Sequence, residues 1–288
     1  MSTVRFAKTP GRGFTLVELM VVIAIIGILV ALLVGGLGPA IIMAQNVECQ
    51  NNLRQIAAAV ITYTTDYKGA IPPTRYEPGL YWCNFLVRGG YLTADNSYNL
   101  APDVPSPRNN VLRCPAEDNL MLTSASVAID LPNADNAQGI ARLGSSSFKI
   151  DCSYYWNGYV GNAGGVDIWT PRFPSVSVSA TASLSDKAKL IHDISEVRYR
   201  TKTAMVMDGV LFDASANTNR GRIAARHSGS LGEHSATNIA FYDGHVGMIE
   251  RAAGDDKKYT KDTIMTAKDL DGETGNSDCP VVFLLPLR

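Results

Sequence analysis

Five cysteines and four histidines bound the chemistry open to this 288-residue chain. Cys49, Cys83, Cys114, Cys152 and Cys279 include no C-x-x-C pair, which argues against a zinc ribbon or a thioredoxin-like dithiol. His227, His234 and His245 crowd around Asp243, but their order, His-x6-His-x10-His, is no standard zinc pattern, and no histidine lies four residues from another. The histidines therefore read as hydrogen-bonded structural groups, and no metal ligand is assigned. The acids of "DISEVRYR" (193–200) and "AEDN" (116–119) are candidates for calcium, although no loop follows the EF-hand order. No nucleophile elbow, P-loop or dinucleotide fingerprint occurs. A paired-carboxylate hydrolase stays open only in the sense that any two acids can converge in a fold. The expectation is a protein without catalytic residues or a resident cofactor, calcium being the one candidate. Tyr81, Trp82, Tyr154, Tyr155, Trp156 and Trp169 either pack in the core and turns or form a surface for a glycan or partner.

A net charge of −1 rules out a global basic field for nucleic acid. The 46 % hydrophobic content is ordinary, but its densest block is at the front. From Leu19 to Gln45 no residue is charged. About 27 residues at ~1.5 Å rise exceed the roughly 30 Å hydrocarbon core of a bilayer. Arg5, Lys8 and Arg12 precede the run, and Glu48 and Arg54 are the first charges after it. The positive-inside rule then puts the N-terminus in the cytoplasm and the remainder outside. A cleaved signal peptide, with "AIIMAQ" (40–45) as its cutting region, would have a shorter apolar core. A plain membrane anchor leaves Glu18 unexplained, because an acid in hydrocarbon is costly and usually has a partner.

The residues "GFTLVE", set directly against the apolar run, resemble the N-terminal signal of type IV pilins and type II secretion pseudopilins. That resemblance implies a leader, residues 1–13, removed by a prepilin peptidase between Gly13 and Phe14, with N-methylation at Phe14. It also implies a role for Glu18 in assembly, neutralising the Phe14 ammonium of a neighbouring subunit. The implied partners are further copies of the chain or related subunits, the peptidase, the pilus or secretion assembly machinery and the inner membrane. The implied location is a single-pass inner-membrane protein with an extracytoplasmic globular part, assembled into a periplasmic or cell-surface filament. Some major pseudopilins bind calcium, which keeps that ion in view. The alternative is a membrane-anchored or secreted binding or hydrolytic domain that never polymerises.

The elements behind this reading are a helix and a sheet. "GGLGPA" (35–40) weakens or kinks a helix, or ends the membrane span near residue 44. Beyond it Cys49, Leu53, Ile56, Val60, Tyr63 and Tyr67 recur at intervals of three and four, one apolar stripe on an amphipathic helix. Gly69 is a natural helix stop, and Pro72 and Pro73 forbid continuation. The helix is expected over 14–68, about 55 residues or roughly 80 Å, with 69–288 as a globular α+β domain. In "TNIAFYDGHVGMIE", Asp243-Gly244 signals a two-residue hairpin turn pairing Tyr242 with His245, Phe241 with Val246 and Ile239 with Met248. Asp208-Gly209 signals a second hairpin pairing Val206 with Leu211. The C-terminal half is therefore expected to be an antiparallel sheet that receives the helix stripe.

A second resemblance, to prepilin-like proteins with a C-terminal His-x9-Asp-Gly motif, rests on "CQNNLRQIAAAV", "LRCPAEDN", "CSYYWNGYVG" and "RHSGSLGEHSATNIAFYDGHV". Arg226, His227, Asn238, Phe241, Asp243, Gly244, His245 and Val246 match its last block, with 15 residues between His227 and Asp243 instead of nine. "SLGEHSA" reads as an insertion. In an oxidising compartment, thiols pair. Cys49 is expected to be buried and free on the helix stripe, and the other four cysteines to form two bridges.

Overall fold

A computed structural model describes residues 14–76, 79–101, 104–107, 110–117, 121–122, 140–145, 147–157, 177–178, 192–197, 199–210, 222–224, 226–229, 232–250 and 264–265. In chain order the elements are α1 (Leu16–Asp66), β1 (Arg75–Tyr76), β2 (Leu80–Tyr81), α2 (Trp82–Arg88), β3 (Met121–Leu122), β4 (Ile140–Ser145), β5 (Phe148–Cys152), β6 (Tyr154–Trp156), β7 (Ser177–Val178), a 3-10 turn (Ile194–Glu196), β8 (Ala204–Val210), β9 (Arg222–Ala224), β10 (His227–Gly229), β11 (Gly232–Phe241), β12 (Val246–Glu250) and β13 (Ile264–Met265). The class is α+β, as the sequence patterns predict. Two compact units are present, Met1–Met43 and Ala44–Arg288.

In the first unit, the described part of α1 exposes its apolar side chains, from Leu16, Val17 and Leu19 through Leu33. The helix runs on through the Gly35–Pro39 cluster, with Pro39 inside it. The cluster therefore does not end the helix. Proline removes one backbone donor, and the neighbouring turns keep their own.

In the second unit, the continuation of α1 buries its stripe. Cys49, Leu53, Ile56 and Val60 are fully buried and Tyr63 nearly so, joined by Ala57 and Ala59. Removing each large apolar side chain from water contributes about 2 kcal/mol. Tyr67 departs from the expected stripe, being 53 % exposed and stacked on Tyr63 at 4.3 Å between ring centres. The helix ends where Lys68 and Gly69 take positive φ, 56° and 96°. Gly69 N–H donates to the Thr64 carbonyl at 2.6 Å, and the Gly69 carbonyl accepts from Ile194 N–H at 2.8 Å.

Among the described residues, the receiving sheet has seven strands. β11 is its spine. Ile239 faces Gly247 of β12 on one edge and Met207 of β8 on the other, and Ala236 likewise lies between Glu250 and His227 of β10. β8 also pairs with β6 and β9, all antiparallel. Trp82 stacks on Trp156 at 5.2 Å, and Trp156 meets Tyr242 edge-on. Trp82, Tyr154, Tyr155 and Trp156 are buried, so these four serve core packing; Trp169 lies outside the described residues.

Two turn expectations are corrected. The Asp243-Gly244 hairpin exists, but Ala240 pairs with Val246, Ile239 with Gly247 and Asn238 with Met248. Phe241 N–H donates to the His245 carbonyl, and Gly244 N–H to the Phe241 carbonyl. The loop thus holds three residues, Tyr242 to Gly244, with Gly244 at φ +91°. A type I turn closed by a left-handed glycine adds one residue to a two-residue loop, and the register shifts by one. Asp208-Gly209 is no turn. It lies inside β8, where Asp208 pairs with Tyr154 and Gly209 with Ile223. Strands on both edges of β8 override the local dipeptide signal.

The bridge expectation is corrected too. Cys83, Cys114 and Cys152 are free and buried, as is Cys49; Cys279 lies outside the described residues. Burial pushes the Cys83 thiol well up in pKa, and its hydrogen bond with Cys152 adds to the shift. Cys114 instead faces Cys49 and His227.

A Cβ at position 69 would strike the Asp193 carboxylate and force a side chain into left-handed backbone. Gly69→Ala is expected to destabilise the globular unit by about 2 kcal/mol, lowering its melting temperature by roughly 4–8 °C. Calorimetry of the detergent-solubilised protein checks this, and an unchanged transition would show that the helix stop does not depend on glycine.

Candidate functional site

Three groups of residues stand out. The first is at the start of α1. Thr15 N–H and Oγ1 both donate to Glu18 Oε2, at 2.9 and 2.8 Å, and Glu18 N–H donates back to Thr15 Oγ1 at 3.2 Å. This is a reciprocal capping box, threonine at the cap and glutamate three residues on. The carboxylate also sits favourably at the positive end of the helix dipole. Phe14, immediately before it, is 77 % exposed. Gly13 lies outside the described residues.

The second group is the Asp-Gly-His turn. Asp243 Oδ1 accepts from His245 N–H at 3.1 Å and lies 2.5 Å from His245 Nδ1. The His245 ring stacks flat on Phe241 at 4.3 Å. A Cβ on Gly244 would reach Ile61 of α1 at 3.0 Å, so the glycine lets the turn lie close to the helix. Asn238 makes a second link to the same helix. Its amide donates to Asn46 Oδ1 at 2.8 Å, and its Oδ1 accepts from Gln50 at 3.3 Å. His227 is not part of the turn. It pairs with Ala236, five residues along β11 from Phe241, or about 16 Å at strand rise. The side chain of His234 lies outside the described residues.

His227 belongs to a third group, with Cys49, Cys114 and Asp208. All four are buried, and their ligand atoms lie within 4.8 Å of one another. Cys49 Sγ is 3.2 Å from both Asp208 oxygens. His227 Nε2 is 3.0 Å from Asp208 Oδ2 and 3.7 Å from Cys114 Sγ. Around them, Tyr154 OH donates to Cys49 Sγ at 3.5 Å, and Asn238 N–H donates to Asp208 Oδ2 at 3.2 Å. Arg226 reaches Asp208 Oδ1 at 3.5 Å and the Ser153 carbonyl at 2.6 Å.

The electrostatics follow from burial and pairing. Burial alone would push His227 down, but the Asp208 charge and hydrogen bond outweigh it and raise the imidazole to about 10. Burial would raise Asp208, yet His227 and Arg226 hold it below the usual carboxylate range. Burial lifts the Cys49 thiol well up, with Cys114 and Asp208 adding to the shift. Cys114 is lowered, because hydrogen bonds from Cys49 and His227 overcome its own burial.

Sequence reading missed this group. Its members are scattered over positions 49, 114, 208 and 227 and come from a helix, a loop and two strands. The available signals were a cysteine on an apolar stripe and an Asp-Gly pair inside a strand. Three of the calcium candidates have partners within the protein, and Asp118 lies outside the described residues. Glu117 pairs with buried Arg113, Glu196 with His192 Nδ1 at 2.8 Å, and Asp193 accepts from Ser195 N–H at 2.7 Å.

The apolar stretch Leu16–Leu33 has a mean hydropathy of 3.1 and none of it is buried. Residues 11–34 match the family described as the prokaryotic N-terminal methylation motif. No curated protein and no solved structure matches the chain. The match ends before the globular unit, so it bears on the front of the chain alone. Over those residues, a capped glutamate and an exposed apolar helix coincide with the matched motif, and the chain thereby carries the N-terminal signal of type IV pilins and pseudopilins, which implies processing by a prepilin peptidase and anchoring in a membrane.

Proposed function

We propose that this chain is a structural subunit of a type IV pilus-like filament or a type II secretion pseudopilus. The peptidase cuts after Gly13, the new amino group of Phe14 is methylated, and subunits polymerise through the N-terminal helix. The chain crosses the inner membrane once, with Arg5, Lys8 and Arg12 on the cytoplasmic side. Its role is mechanical and needs no catalytic residue.

The observation that carries this reading is the methylation motif laid on a helix whose described apolar side chains from Leu16 to Leu33 all face outward. So large an apolar surface requires a lipid or protein environment. A monomeric anchor would need only the apolar length. Glu18 favours assembly, because a carboxylate at membrane depth calls for a cation. Both Thr15 bonds fall on Oε2. Oε1 takes neither of them, which leaves it for an incoming ammonium.

Processing is tested at residue 13. Mass spectrometry of the mature protein is expected to find a methylated Phe14 at its start. Gly13 replaced by a bulky residue is expected to leave uncut precursor in the membrane. Normal-sized mature protein from that variant would remove the reading.

Assembly is tested at residue 18. Glu18→Ala is expected to leave cleavage and the melting of the globular unit unchanged while filament yield collapses. An uncompensated ammonium in an apolar core costs several kcal/mol, and ~1.4 kcal/mol is already tenfold in association. Glu18→Gln keeps an acceptor for the cap but not the charge, so it separates helix capping from ion pairing. Electron microscopy of filaments beside a blot of membrane-extracted subunit gives the answer. Wild-type filament yield from Glu18→Gln would assign the residue to capping alone.

A further inference from the structure

We propose that Cys49, Cys114, Asp208 and His227 form a closed, structural zinc site that ties α1 to the sheet of the globular unit. Each residue contributes one donor, and the four donors lie within 4.8 Å of one another. Tetrahedral zinc with Zn–S near 2.3 Å and Zn–N or Zn–O near 2.0 Å sets donor separations of roughly 3.3–3.8 Å. Of the contacts, 3.7 Å falls within that range and 3.0 and 3.2 Å lie within about 0.3 Å of it, so small side-chain movements would admit the ion.

The donor set selects the metal. Two sulfurs with an imidazole and one carboxylate oxygen suit zinc, whereas calcium and magnesium take oxygen ligands. Four protein donors fill a tetrahedron and leave no position for a substrate, which makes the site structural.

A Cys-His-Asp nucleophilic arrangement does not fit. In such a triad, the thiol and the carboxylate address opposite ring nitrogens. Here both face Nε2 of His227, as ligands converging on one ion would. All four residues are also buried, with no face for a substrate.

The surroundings match a metal site in charge and in support. Two thiolates, a carboxylate and Zn²⁺ sum to −1, and Arg226 beside Asp208 brings the total to zero. Tyr154 OH and Asn238 N–H orient Cys49 and Asp208 from outside, the kind of outer contacts that hold ligands in place. Binding releases to solvent whatever protons the two sulfurs and the imidazole hold. Occupancy also protects Cys49 and Cys114 from oxidation in an oxidising compartment. All four residues belong to the second unit, so the proposal stands apart from the assembly role of the helix start.

The test uses full-length protein in detergent, produced with zinc supplied and dialysed against a weak chelator. Elemental analysis is expected to find about one zinc per chain, and Cys114→Ser or His227→Gln to lose most of it. Since those variants can fail to fold, cobalt is exchanged into the unaltered protein. Sulfur-to-cobalt charge transfer and the intense visible bands of tetrahedral cobalt are expected. Zinc-free protein with a cooperative melt would overturn the proposal. So would a Cys49–Cys114 disulfide in peptide maps, or a cobalt spectrum lacking sulfur ligation.

Discussion

A carboxylate with no exposed surface governs the globular unit. Asp208 sits inside β8, and a buried charge is tolerable only where it is paired and hydrogen-bonded. Its partners come from every side: His227 from β10, Asn238 N–H from β11, Cys49 from α1, and Arg226 from the residue before β10. Each contact requires a particular register or helix position. Slide β11 by one residue and its amide no longer meets the carboxylate. Rotate α1 and Cys49 leaves. Apolar packing supplies most of the stabilisation, but it accepts several arrangements of the same side chains. The buried acid accepts far fewer.

The front of α1 meets the opposite constraint. Its apolar residues, 16 to 33, have no place in the globular core, and the part after residue 44 buries a narrower face. One helix thus carries two sequence patterns. Apolar residues all round suit a lipid environment, and a stripe of period about 3.6 serves a sheet. The capped start supplies the charge that the first environment must compensate, and Asn46, Gln50 and Ile61 supply the contacts that the second must match.

These two patterns were legible in the sequence because both are local. Cys49, Leu53, Ile56, Val60 and Tyr63 announce their face by spacing, and Phe14 and Glu18 announce theirs by position beside the apolar run. The Asp243-Gly244 turn was equally plain, yet its register was off by one. Dipeptide identity does not distinguish a two-residue loop from a three-residue loop closed by a left-handed glycine. Asp208-Gly209 misled for a different reason. The same dipeptide is a turn signal in isolation and a strand segment when β6, β9 and β11 pair with it. The four-residue cluster had no local signature at all. Metal patterns are recognised by short spacings within one element, and here the fold alone brings the donors together.

Glu18 has one role in the single chain, and the assembly reading adds a second. In the isolated chain it completes a capping box with Thr15, an arrangement that contributes about 1 kcal/mol to the helix start. On the assembly reading, the ammonium created at Phe14 must enter an apolar interior, where an unpaired charge costs several kcal/mol. That penalty exceeds the capping energy, so ion pairing decides where the carboxylate's remaining capacity goes. The two demands are compatible, since both Thr15 bonds fall on Oε2 and neither on Oε1. A glutamate three residues after a threonine cap is therefore suited to hold the helix start in shape while offering one oxygen outward.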